Sequence, residues 1–238
     1  MLFYSLRRVL PLLLLCLPFT LRAQKASVDT LKKQYEQYDQ MYGLNDLLVN
    51  GVLYINLHYN ATGYPFMGEN TFRRGSVTVK NENFSPVELK YDIVNQQLVL
   101  KVINSFGGES HIILRRNFIH QFTLEGGYLF EWIDNDQLHP SFYQVIGEKG
   151  FRWLIKYTKF LEIPQGSQAN HRAYTKAYRK YYFERDGKVF DIRNRRAIKK
   201  LFPDKKKELK KYFRAHRKSF SAISNEDFNN LLNILKDA

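Results

Sequence analysis

Seven cations recur at helical spacing near the end of the chain: Lys206, Lys207, Lys210, Lys211, Arg214, Arg217 and Lys218. At about 100° per residue they fall on one side of a stripe formed by Leu209, Tyr212, Phe213, His216 and Phe220. Asp204 and Glu208 fall on the opposite flank. Such an edge has the chemistry of an anion-binding strip, because lysine and arginine donate charge-assisted hydrogen bonds to phosphate and carboxylate oxygens. The same pattern also describes a solvated helix face whose lysine stems cover the layer beneath. Like charges three or four residues apart cost an isolated helix about 0.2–0.5 kcal/mol per pair. One fully buried Leu or Phe contributes about 1.5–3 kcal/mol, so the apolar stripe outweighs the repulsion.

Other chemistry is sparse. The chain holds no G-x-S-x-G, phosphate loop, H-E-x-x-H or dinucleotide fingerprint. His58, His111, His120, His139, His171 and His216 show no ligand spacing, so neither a metal nor a cofactor is expected. Asp134 to His139 begins like a calcium loop, but Leu138 sits at a ligand position and His139 replaces the required Gly, which predicts a polar turn. Asp134 and Asp136 as a glycosidase pair, with Trp132 and Trp153 lining a sugar or lipid pocket, give the alternative function: a hydrolase acting on an acidic envelope polymer or glycan in a β-domain cleft. Core packing is the competing role for both tryptophans. No catalytic residue is assigned.

The position of the charge along the chain bears on its partner. Residues 24–171 carry 14 basic and 15 acidic side chains, whereas residues 172–218 carry 19 and 5. Residues 1–23 read as a secretory signal peptide: Arg7 and Arg8 precede an apolar run from Val9 to Leu21, and Ala23 offers a small residue for cleavage. The expected location is therefore periplasmic or extracellular. Cys16, the only cysteine, leaves with the leader, which excludes disulfides and thiol chemistry from the mature chain. Outside the cytoplasm the anionic partner is a lipid head group, an acidic polysaccharide or an acidic protein. Tyr178, Tyr181, Tyr182 and Phe183 lie among basic residues and have the rings to stack bases, but export argues against nucleic acid.

The elements that must position these residues are mostly strands. A short helix is expected within residues 24–50, from the three-four spacing of Val28, Leu31, Tyr35, Tyr38 and Tyr42. Residues 51–192 form an antiparallel β domain. "GSVTVK", "VELKYDI" and "QLVLKVI" alternate, and further strands are expected at 111–115, 118–125, 128–133, 142–146, 151–157, 178–183 and 188–192. "YYFERDGKVFDI" reads as a hairpin around Asp186-Gly187. Residues 163–176 read as one long loop. About ten closely spaced strands predict a meander rolled into a barrel-like or sandwich sheet. An outer-membrane barrel is the third alternative, disfavoured by strands shorter than the usual 9–11 residues. Residues 193–238 form a basic helical segment ending in a helical hairpin, with Pro203 and Asp204 in one first turn and a capping-box pattern at Ser224 to Asp227 in the other. The fold class is thus α+β, mostly β. No helical membrane span is expected in the mature chain.

The stretch Pro65 to Val102, "PFMGENTFRRGSVTVKNENFSPVELKYDIVNQQLVLKV", resembles a recurring segment of an uncharacterised family of exported bacterial β-rich proteins with a lysine-rich helical C-terminus, similar here to "KKLFPDKKKELKKYFR". The resemblance implies export and a β-rich domain. It implies no activity, cofactor or site residue. The combined expectation is an exported, non-enzymatic binding or structural module of the cell envelope, with its basic helix on an anionic partner.

Overall fold

Alternating apolar residues bury one side of a strand, and the chain uses this device repeatedly. The computed structural model describes residues 48, 51–103, 107–166, 171–216 and 220–236. The expected leader and the N-terminal helix fall almost wholly outside the described residues, as do Arg217 and Lys218.

Eleven strands form one antiparallel sheet: β1 (Val52–Leu53), β2 (Arg73–Val79), β3 (Glu82–Asp92), β4 (Gln97–Ile103), β5 (Glu109–Ile113), β6 (Ile119–Leu124), β7 (Tyr128–Asn135), β8 (Leu138–Glu148), β9 (Phe151–Thr158), β12 (Tyr178–Arg185) and β13 (Lys188–Asp191). The spatial order is β1-β5-β4-β3-β2-β6-β7-β8-β9-β12-β13. β10 (Leu161–Glu162) and β11 (Ala173–Tyr174) pair separately, so the expected loop at 163–176 contains a short strand. The topology also departs from a single meander. After β5 the chain returns to pair β6 with β2, because the free side of β5 is taken by β1.

The sheet curls strongly. Neighbouring strands lie about 4.8 Å apart, so β3 and β8, four steps apart in the order, would be separated by about 19 Å if flat. Yet the rings of Tyr91 on β3 and Phe142 on β8 lie 6.0 Å apart. Lys159, just past β9, donates from Nζ to the carbonyls of Tyr64 and Phe66 at 2.9 Å. Among the described residues no ladder closes the curl, and β1 and β13 are its edges. The arrangement is closer to a sandwich than to a barrel. A transmembrane barrel needs a closed sheet without edges.

A buried polar chain ties the curl together. Tyr91 Oη and Ser141 Oγ both donate to Gln96 Oε1 at 2.6 Å, and Gln96 Nε2 donates to the carbonyls of Ile93 and Tyr157. Tyr157 Oη donates to Gln144 Oε1, and Gln144 Nε2 donates to Asn225 Oδ1. Buried amides are costly unless satisfied in this way. Burial pushes Tyr157 up to about 12 and Tyr91 well above its ordinary value. The folded state thus keeps protons that the unfolded chain releases near pH 10, so stability is fully present below that pH and is lost as pH climbs. Thermal melts are expected to fall from pH 10 upward, and phenolate absorbance of the buried tyrosines should appear only together with unfolding.

Three helices follow: α1 (Arg195–Leu201), α2 (Lys206–His216) and α3 (Asn225–Lys236). α3 lies on β8 and β9 and buries Phe228, Leu231, Leu232 and Leu235. Trp153, Phe183, Phe220 and Phe228 meet beneath the helices, with Trp153 wholly buried, so this tryptophan packs the core rather than lining a cleft. Trp132 packs edge-on against Phe142 and under Arg116. The Asp186-Gly187 hairpin forms as expected, with both residues at positive φ (51° and 74°). Gly75 serves close approach instead: a Cβ there would lie 2.0 Å from the Thr123 carbonyl oxygen.

The start of α3 is a reciprocal cap. Asp227 N donates to Ser224 Oγ at 3.2 Å, and Ser224 N donates to Asp227 Oδ2 at 2.9 Å. Ser224→Ala is expected to cost about 0.5–2 kcal/mol, read by urea denaturation.

Candidate functional site

Helix α2 forms because Leu209 and Phe213, four residues apart, insert into the core. Tyr212 joins them at the margin. Its hydroxyl donates to Asp227 Oδ1 at 3.0 Å, and burial, with that bond, raises it to about 12. Arg195 reaches from α1 to the Phe213 carbonyl and lies 4.9 Å over the Phe213 ring, fastening the end of α2.

This anchoring turns the other flank outward. Lys206, Lys207, Lys210, Lys211 and Arg214 are all exposed. Among the described residues none has a carboxylate within 4 Å. Glu208, on the opposite flank, pairs with Lys205 at 3.5 Å. The structure thus brings five of the seven expected cations onto one helix. The expected stripe is only partly formed. His216 is exposed and stacks on Tyr212 with ring centroids 4.0 Å apart. Phe220 reaches the core from a separate 3-10 turn, Phe220–Ala222. Arg196 and Lys200 on α1, which packs against α2, add exposed cations that the wheel of a single helix could not include.

The expected polar turn at Asp134 to His139 forms between β7 and β8, where Asn135 Oδ1 accepts from the amides of Gln137 and Leu138. Asp134 and Asp136 are exposed there. Among the described residues no group of three or more His, Asp or Glu is placed to hold a metal ion.

Two constellations were not visible in the sequence. One is a cavity of about 220 Å3 between the segment 54–72 and strands β3–β5, walled by Tyr54, Phe66, Phe72, Lys90 and His111. Lys90 Nζ donates to Asn70 Oδ1 at 3.0 Å and lies 4.4 Å from the Phe72 ring centroid; burial lowers its pKa. His111 Nε2 pairs with Glu109 Oε1 at 2.7 Å, and Lys101 pairs with Glu109 at 3.0 Å. The His111 bond, then Lys101, holds Glu109 below the usual carboxylate range. An acid–base pair is present, but the described residues lining the cavity include no Ser, Thr, Cys, Asp or Glu. The other is a pair of lysines facing each other across β9 and β12, Lys156 and Lys180. The lysine pair is revealed only by the register of β9 with β12, and the cavity only by the packing of segment 54–72 on the sheet.

No family model, curated protein or solved structure matches the chain.

Proposed function

We propose that the protein is an exported, non-enzymatic binding module of the cell envelope, a sandwich-like β scaffold whose helix α2 contacts an anionic envelope component. The observation that carries the proposal is the row of five exposed cations, from Lys206 to Arg214, without a carboxylate within 4 Å among the described residues. Export rests on the leader-like residues 1–23. The row runs along one flank of a helix rather than around a cavity, which suits an extended anionic surface such as lipid head groups better than a small anion.

Co-sedimentation with phosphatidylglycerol vesicles tests this. Binding to those vesicles and not to phosphatidylcholine vesicles is expected; equal binding to both, or to neither, contradicts it. Acidic polysaccharide in the same assay shows whether the surface accepts other polyanions.

The alternative hydrolase draws support from the Glu109–His111 pair beside the 220 Å3 cavity. It is the weaker function, because an acid–base pair needs a nucleophile or a second carboxylate within reach. Hydrolysis of an acidic glycan that is abolished by His111→Ala would establish it over the binding module.

A further inference from the structure

The outward face of β9 treats its two cations differently. Arg152 donates to Glu184 at 2.5 Å and to Glu131 at 2.7 Å, so its charge is matched from both neighbouring directions. Four residues on, Lys156 sits directly opposite Lys180. Among the described residues neither lysine has a carboxylate within 4 Å. Like charges directly opposite on paired strands are destabilising. Burial, with Lys180 as the second cause, holds the Lys156 amine below its ordinary value. Among the described residues the fold thus places these two lysines opposite one another without a carboxylate of its own.

The space around them is shaped. A cavity of about 310 Å3 opens there, walled by Tyr143, Tyr182, Phe160 and Tyr178 as well as by the two lysines. Tyr143 is buried and forms the floor, its ring 5.9 Å from Lys156 Nζ. At the rim Phe160 is 59 % exposed and Tyr178 65 % exposed, so two large rings stand in water beside two cations. A cavity lined by rings, with a few convergent polar groups, is the usual form of a small-molecule site.

We infer that the cavity between β9 and β12 binds a sugar ring carrying a carboxylate, with the carboxylate between Lys156 and Lys180 and the ring against Phe160 and Tyr178. Two amines on one carboxylate make charge-assisted bonds and remove the repulsion between them. Flat aromatic faces suit the C–H face of a sugar, and tyrosine hydroxyls suit its polar edge. The site is independent of α2, whose cations lie on another element.

Calorimetric titration of the full chain with glucuronate, glucose and benzoate tests the inference. Glucuronate is expected to bind, with glucose undetectable and benzoate weaker. Lys156→Gln should lower glucuronate affinity about tenfold or more. Lys180→Glu should abolish binding while raising the melting temperature, because it places a carboxylate opposite Lys156. Lys180→Gln, at an exposed position, gives the same affinity test if the Lys156 variant fails to fold. The inference is overturned if glucuronate does not bind, if glucose or benzoate binds as tightly, or if the lysine variants bind glucuronate like the parent chain.

Discussion

Replacing Lys207, Lys210, Lys211 and Arg214 together by glutamine is expected to lower affinity for anionic vesicles about a thousandfold. Each basic residue near an anionic membrane surface contributes about 1 kcal/mol, so four contribute about 4 kcal/mol, and each 1.4 kcal/mol is a factor of ten. All four side chains are exposed. Their neutralisation also removes like-charge neighbours at three- and four-residue spacing, so the melting temperature should hold or rise slightly. Vesicle titration and a thermal melt on the same preparation read both effects. Affinity within a few-fold of the parent chain would contradict the role of α2. A marked drop in melting temperature would mean that the lysine stems cover the layer beneath.

The largest stability effect is expected at Arg152. Its guanidinium is the common partner of Glu131 and Glu184, on strands to either side, and only 9 % of its side-chain surface is exposed. Arg152→Met removes the cation and leaves two carboxylates facing one another in a poorly solvated site, which is expected to cost about 3–5 kcal/mol. Urea denaturation measures it. Adding Glu131→Gln and Glu184→Gln to the variant should recover most of the loss, because a buried ion group is costly chiefly when one member is missing. A single variant as stable as the parent chain would show that the two acids are solvated enough to stand alone.

Part of the sheet was legible because several strands bury one face more than the other, whereas β8 and β9 bury both faces from Ser141 to Ile146 and from Arg152 to Ile155. Val77 and Val79, or Leu89 and Tyr91, alternate with more exposed residues, and period two leaves little choice of side. The cap at Ser224 was legible from spacing, with Asp227 taking the place of the usual Glu or Gln. What escaped depends on relations between distant residues. β1, β10 and β11 have two residues each, too few to show any period. The pairing of β6 with β2 rather than β5 leaves no local trace, since a strand does not record its neighbour. The basic flank of α2 followed from helical geometry alone, whereas Phe220, which the same geometry places on the apolar stripe, reaches the core from a 3-10 turn. Lys156 and Lys180 are 24 positions apart and meet only through the register of β9 with β12.

The central claim is that α2 presents unmatched positive charge to an anionic surface. Its most direct measurement is the binding constant of the full chain for phosphatidylglycerol vesicles across a salt series. Exposed charge is screened over about 10 Å at 0.1 M salt and about 3 Å at 1 M. Binding that weakens steadily as salt rises, and is lost near 1 M, is the predicted result. Binding that is indifferent to salt would contradict the claim.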